Sequence, residues 1–191
     1  MRIVAGKFRG KILQSPSDDS IRPTSDRARE SIFNIIGSRL GPNLGGVRVL
    51  DLFAGTGALG LEALSRGAAH VTFVDTGAEA RGIIRDHIEA FGAAGITKLL
   101  RRDATALGTP GTFGQFDLVF LDPPYAEVFL ENSLKTISQI DILSDSGIII
   151  TERPFGKELP AIVPGLVRYR DYRYGKAAVT IYRREIPQEE A

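Results

Sequence analysis

The chain has 191 residues, 24 Lys and Arg against 23 Asp and Glu, and a formal net charge of +1. Its 43% apolar and 25% charged content is that of one globular domain, not of a disordered or fibrous chain. It has no cysteine, which excludes disulfides, Cys-ligated zinc and a thiol nucleophile. No apolar run reaches membrane length or resembles a secretory leader, so a soluble, cytoplasmic protein is expected.

Residues 2–15 hold two short apolar runs around Gly6 to Gly10 and carry Arg2, Lys7, Arg9 and Lys11 with no acid among the first thirteen positions. They predict a β-hairpin with a basic tip, too small to bury a core alone, that packs on the main body or projects towards a partner. After a loop ending in Arg22-Pro23-Thr24, Thr24 or Ser25 caps a helix to about Leu40. Ala28, Ile32, Ile35 and Ile36 mark its buried face, with Arg27 and Arg29 on the outside or reaching into a cleft.

Val47 to Phe53 reads as a buried strand. It breaks into Gly55-Thr56-Gly57 and Gly60, and a helix then runs to Gly67. Strands follow at His70 to Asp75, Lys98 to Arg102, Phe116 to Leu121 and Gly147 to Glu152. Helices over Ala80 to Phe91 and Glu127 to Ile140 alternate with them. Leu166 to Tyr174 and Ala177 to Arg184 read as a closing antiparallel pair. Alternation of this kind predicts an α/β doubly wound sheet with helices on both faces. Residues 168 to 184 carry six Lys and Arg against Asp171 alone, so both ends of the folded region favour a polyanion; a solvated charged surface is the plain alternative. His70 and His87 lack ligand-like spacing, and no metal site is expected.

The glycine pattern G-x-G-x-x-G suits a nucleotide-type cofactor, because the backbone approaches a ligand closely where no Cβ intervenes. Alone it marks a tight strand-to-helix turn equally well. In doubly wound sheets the ligand lies beyond the carboxyl ends of the strands, and Asp51, Asp75, Asp103 and Asp122 fall there. Asp75 is placed for ribose hydroxyls. Asp103 either grips an adenine amine or only caps the next turn.

Asp122-Pro123-Pro124-Tyr125 is more specific. Two prolines stiffen the strand end and remove two N–H donors, leaving the Asp122 carboxylate and the Pro123 carbonyl as acceptors beside a flat ring. Such a set holds both hydrogens of an exocyclic amine while Tyr125 stacks on the base, a contact worth about 1–3 kcal/mol. It would localise the nitrogen lone pair and stabilise the positive charge that develops there.

With RIVAGKFRG, RPTSDRARESIFNII, DLFAGTGALGLEALSRGAAHVTFVD and DPPY, the chain resembles the RsmD family of 16S rRNA guanine-N2 methyltransferases, from Arg2 to about Arg184. The resemblance implies a class I methyltransferase (Rossmann-like) fold, a seven-stranded sheet whose last two strands are antiparallel, plus the N-terminal hairpin. It implies three parts: residues 1–20 as an RNA-binding hairpin extension, 21–184 as the S-adenosylmethionine-dependent methyltransferase domain, and 185–191 as an acidic tail. The activity implied is transfer of methyl from S-adenosylmethionine to N2 of guanine 966 in 16S rRNA, within the small ribosomal subunit or its late assembly particle. S-adenosylhomocysteine is the expected product, and a monomer that needs no metal is expected.

By position, Asp51, Phe53, Ala54, Gly55, Thr56 and Gly57 would surround the methionine end of the cofactor, Asp75 the ribose, and Asp103 with Ala104 the adenine. Asp122, Pro123, Pro124 and Tyr125 would hold the target base. Arg2, Lys7, Arg9 and Lys11 would grip RNA, with Arg22 and Thr24 near the active site. The family often has Glu where this chain has Asp75, so the ribose contact is expected to be looser or water-bridged. Three other functions are compatible with parts of the pattern. DPPY does not identify the base, which leaves an N6-adenine DNA methyltransferase. A nicotinamide-dependent dehydrogenase would leave DPPY unexplained, and a non-catalytic RNA-binding module would leave Asp122 and Tyr125 without a task.

Overall fold

The computed structural model describes residues 1–14, 26–109, 111, 113–123, 127–156, 159, 162–174 and 177–185. Arg22, Thr24, Pro124 and Tyr125 lie outside the described residues, as do positions 186–191 of the tail. Among those described, helices α1 (Asp26–Leu40), α2 (Ala58–Ser65), α3 (Ala78–Ala90) and α4 (Glu127–Gln139) flank one sheet. Its strands are β1 (Arg48–Leu52), β2 (His70–Val74), β3 (Thr97–Leu100), β4 (Phe116–Leu121), β5 (Leu143–Pro154), β6 (Ile162–Val163), β7 (Leu166–Tyr174) and β8 (Ala177–Arg184). The spatial order is β3-β2-β1-β4-β5-β8-β7-β6.

The first five strands pair in parallel, β8 inserts antiparallel to β5, and β7 pairs antiparallel with β8. The seven expected strands are thus present. The two-residue β6 adds an eighth at the edge beside β7, too short to leave a periodic trace. β5 also begins four residues earlier than the isoleucine run predicts. Its Leu143 pairs with Phe116, and the ladder then shifts register before Leu118.

Strand alternation sorts the core onto two faces. Val49, Phe73, Phe120 and Ile150 pack with α1, α2 and α3, whereas Leu50, Leu52, Leu121 and Ile149 pack with α4. Every residue of α2 is buried, so this helix needs cover on its outer side as well. The N-terminal hairpin supplies it. Its antiparallel pairing is limited to the Arg2–Ile12 bridge, and the turn folds down instead of projecting. Lys7 N–H donates to the Ser65 carbonyl at 2.7 Å, and Phe8 N–H donates to Ser65 Oγ at 2.9 Å. Ile3, Phe8 and Leu13 are buried in the same core.

A buried ionic cluster fixes this contact. Both Glu62 and Arg29 are fully buried. The Glu62 carboxylate accepts Val4 N–H at 2.8 Å, Ala5 N–H at 3.0 Å and Arg66 Nε at 2.9 Å. Arg29 lies 4.0 Å from that carboxylate and donates to Asp26 and to the Arg2 carbonyl. Arg29 therefore lies neither on the outside nor in an open cleft but buried beneath the hairpin, where it satisfies a backbone carbonyl that the fold takes out of water.

Candidate active site

The parallel strands end together on one edge, and the chain turns sharply there. Phe53 has φ 56°, and Gly55 and Gly57 have φ 55° and 76°. Left-handed backbone is unfavourable for a bulky residue such as Phe53, and its presence at a strand end marks a turn that the surroundings hold in place. Ala54 N–H donates to the Val74 carbonyl at 3.1 Å, which ties the turn to β2. Gly60 has a packing role. A Cβ there would stand 2.4 Å from Cε1 of Phe73, so only glycine lets α2 lie this close to β2.

Three carboxylates project from this edge on the α1–α3 face. Val49, Phe73 and Phe120, each two residues before one of them, face that core, so alternation puts Asp51, Asp75 and Asp122 on the same side. Asp51 is buried, and its Oδ2 accepts Gly60 N–H at 2.9 Å. Burial pushes its carboxyl well above the usual range, and the charges of Asp122 and Asp75 push the same way against the Gly60 hydrogen bond. Asp75 Oδ2 accepts Gly55 N–H at 2.8 Å and its Oδ1 accepts Gly77 N–H at 2.7 Å. The side chain one methylene shorter than Glu thus staples the glycine turn to the start of α3. Asp122 and Pro123 are half-buried at the end of β4.

Asp103 stands at the end of the next strand. Its Oδ1 accepts both Thr105 N–H at 2.8 Å and Thr105 Oγ1 at 2.7 Å, the capping arrangement. Ala104, beside it, is buried in the α4-side core. Three further residues near this edge lie outside the sequence motifs. Phe129 of α4 meets Phe53 edge-on with centroids 6.4 Å apart. His87 of α3 faces the glycine turn, its Nδ1 3.2 Å from the Thr56 carbonyl. Glu152 lies two residues before the end of β5, on the same face as Asp122, and it closes the strand that the isoleucine run predicts. Among the described residues no group of three or more His, Asp or Glu side chains is placed to hold a metal ion.

The basic residues fall into two places. Lys7, Arg9 and Lys11 are exposed at the hairpin turn, against the C-terminal ends of α2 and α3: Lys11 Nζ donates to the Ala90 carbonyl at 3.0 Å and lies 4.6 Å over the Phe91 ring. Helices that leave the strand ends finish at the opposite edge, so the fold does not bring these three to the carboxylates. A second group lies on the carboxylate face of β7. Arg39, Arg183 and Arg170 surround the Tyr169 ring at 4.0, 4.6 and 6.0 Å, and Arg170 lies 5.9 Å over Tyr172. The hydrogen bond from Arg39, with the three positive charges, holds the Tyr169 hydroxyl below its usual range. Tyr172 pairs with Val179, which pairs with Glu152, so the Tyr172 end of this stripe reaches the strand-end site, while Arg183, paired with Ile148, lies four residues further back along β5.

A parallel sheet of order 3-2-1-4-5 closed by one antiparallel strand, with a glycine turn after β1 and acids at successive strand ends, defines the class I methyltransferase fold. The family described as "Conserved hypothetical protein 95" matches residues 1–183, and the chain belongs to it, the RsmD family that its motifs resemble. It is 38% identical over 186 residues to the "Putative rRNA methyltransferase YlbH" of Bacillus subtilis, covering 96% of this chain and 99% of that one. It is 33% identical to "Ribosomal RNA small subunit methyltransferase D" of Escherichia coli K12, covering 99% and 92%. The solved structure "Putative methyltransferase yhhF from Escherichia coli" superposes with a TM-score of 0.83 at 30% identity, covering 97% and 98%.

Proposed function

We propose that this protein methylates 16S rRNA, transferring the methyl group of S-adenosylmethionine to the exocyclic N2 amine of guanine 966 in the small subunit or its late assembly particle. The observation that carries this reading is the convergence of Asp51, Asp75 and Asp122 on one face of the strand ends, close enough for the charges of the other two to raise the Asp51 carboxyl. Crowded carboxylates suit a ligand that is itself cationic. They fit the ammonium and sulfonium of S-adenosylmethionine, and they fit a dinucleotide with its anionic pyrophosphate poorly.

In this reading Asp51 and the backbone of Phe53 to Gly57 enclose the methionine end, Asp75 faces the ribose, and Asp103 with the Ala104 backbone faces the adenine. The cofactor supplies an electrophilic methyl group. Asp122 and the Pro123 carbonyl accept the two hydrogens of the target amine, and Tyr125 stacks on the base. Asp122 stabilises the positive charge on nitrogen while the new N–C bond forms, and the surplus proton leaves N2 by way of Asp122 to water. Orientation and electrostatics supply the acceleration. The target base must leave its stack to reach this corner. Arg39, Arg170, Tyr169 and Arg183 provide a phosphate and stacking track that leads into it, with Arg2, Lys7, Arg9, Lys11, Arg22 and Thr24 as further RNA contacts.

The test is to incubate the protein with labelled S-adenosylmethionine and under-methylated small-subunit particles, then identify the labelled nucleoside. N2-methylguanosine is expected. N6-methyladenosine, or label only in DNA, would replace this reading with the adenine one. Asp122→Ala should abolish turnover while S-adenosylhomocysteine still raises the melting temperature; a parallel collapse of cofactor binding would reassign Asp122 to the cofactor.

A further inference from the structure

β4 and β5 run in parallel, and their last registered pair is Phe120 with Ile150. Counting on two residues brings Asp122 level with Glu152, one strand away, a spacing of about 4.8 Å between chains. Ile148 and Ile150 share the α1–α3 core with Phe120, so Glu152 projects on the same face as Asp122. The side chain is half-buried, and its Oε2 is shielded from solvent without a hydrogen-bond donor among the described residues. A carboxylate oxygen removed from water without a donor is costly, and such an orphan in a folded protein calls for a reason.

We infer that Glu152 reads the N1–H of the target guanine and so selects guanine over adenine; this rests on the amine-methylating role proposed above. On the Watson–Crick edge of guanine, N1–H and the N2 amine are adjacent donors pointing the same way. With the amine held by Asp122 and the Pro123 carbonyl, N1–H falls towards the neighbouring strand, where Glu152 stands. The broad terminal torsion of Glu lets either oxygen turn to meet it. Adenine presents an N1 lone pair at the corresponding place, and a carboxylate repels it. The Asp122 corner accepts any exocyclic amine, so the second acid is what makes the site discriminate. Glu152 is a specificity-determining residue, and an acceptor left open by the described residues suits that task.

The probe is 2-aminopurine, which keeps the N2 amine but has a lone pair at N1. Small-subunit particles are reconstituted with guanine or 2-aminopurine at the methylated position, and kcat/KM is measured for both. The wild type should prefer guanine by about 1000-fold or more, since a site built to accept a hydrogen bond rejects the analogue lacking the donor. Glu152→Gln, whose amide both accepts and donates, should bring the ratio within about 10-fold. Glu152→Asp should keep the preference at a lower rate. Both purines differ at C6 as well, but that difference is common to all three proteins and cancels when their ratios are compared. An unchanged ratio in Glu152→Gln, or a ratio lost in Glu152→Asp while S-adenosylhomocysteine still shifts its melting temperature normally, overturns the inference and leaves the methylation reading intact. A wild type that labels no guanine N2 in unmodified particles overturns the methylation reading itself.

Discussion

His87 Nε2 accepts the backbone N–H of Gln14 at 2.9 Å, which requires the proton to be on Nδ1, facing the Thr56 carbonyl at 3.2 Å. One buried neutral imidazole thereby joins the N-terminal segment to the glycine turn of the candidate site. Burial pushes its pKa below the usual 6.5, outweighing the Thr56 hydrogen bond and Asp86, which pull it up. The folded state therefore binds this proton less readily than the unfolded chain, so stability from His87 is present above pH 6.5 and is lost as pH falls towards the folded value. His70 is shifted in the same direction by its own burial, with Arg48 and Lys98. The melting temperature should fall between about pH 7 and pH 5. His87→Phe should flatten that fall while costing about 1–3 kcal/mol at neutral pH, because Gln14 N–H loses its acceptor. A fall unchanged in His87→Phe but removed in His70→Gln would assign it to the other ring.

Asp51 shows the opposite sign. Its folded carboxyl is raised above the ordinary 3.8, so as pH rises past that value the unfolded chain ionises first and stability drains until the folded group ionises too. Asp51→Asn keeps an oxygen for Gly60 N–H and removes the buried charge. It should stabilise the protein by about 1 kcal/mol at pH 7 and weaken S-adenosylmethionine binding about tenfold or more. Thermal denaturation and calorimetric titration measure the two effects separately. A variant both more stable and undiminished in affinity would show that Asp51 does not serve the cofactor.

Gly60→Ala tests the packing beneath the glycine turn. The added methyl would stand 2.4 and 2.9 Å from the Phe73 ring and 2.9 Å from Val71 Cγ1, in a core with no slack. A loss of about 1–3 kcal/mol is expected. Phe73→Leu opens room on that side, so the double variant should lose less than the sum of the two single losses. Chemical denaturation of the four proteins gives the coupling, and strict additivity would mean that α2 shifts to accommodate the methyl.

The turn, the strand-end acids and the strand–helix alternation were legible because local chemistry forces them. Left-handed backbone at Gly55 and Gly57 selects glycine, and a buried parallel strand such as β4 is apolar almost throughout. Arg29 stayed ambiguous because a charged residue on an amphipathic helix reads equally well as surface, and its burial depends on a hairpin 27 residues away in sequence folding over α2. Glu152 was hidden for a related reason. An acid just past Ile148 to Thr151 reads as the end of a strand, and only the pairing of β5 with β4 shows which acid it stands beside. The hairpin's direction was equally non-local: nothing in residues 2–15 says that Glu62 and Ser65 hold its backbone.

That docking makes Gly6 a sensitive position. Its φ is +82°, and a Cβ would stand 1.8 Å from the Ser65 carbonyl oxygen, a backbone atom that cannot swing aside. Gly6→Ala should lift the turn from α2 at a cost of about 2–3 kcal/mol. Hydrogen exchange should then rise at Lys7 and Phe8 and along α2, with α4 unaffected. Exchange unchanged along α2 would mean that the hairpin does not serve as its cover.

The two basic regions make different predictions for RNA. Removing one cation from a phosphate lowers the slope of log affinity against log salt by about 0.7 on single strands. Replacing Arg39, Arg170 and Arg183 together with Gln should reduce that slope by about 2, because Arg170 and Tyr172 carry the stripe along β7 to the level of the strand-end acids. Replacing Lys7, Arg9 and Lys11 should reduce it less, because the fold carries the hairpin turn to the opposite edge, and Lys11 already commits one hydrogen bond to Ala90. Filter binding to a 16S rRNA fragment across a salt series measures both slopes. A greater reduction in the hairpin variant would route the RNA across α2 and α3 instead, and would leave Tyr169 and its three guanidiniums as a structural cluster.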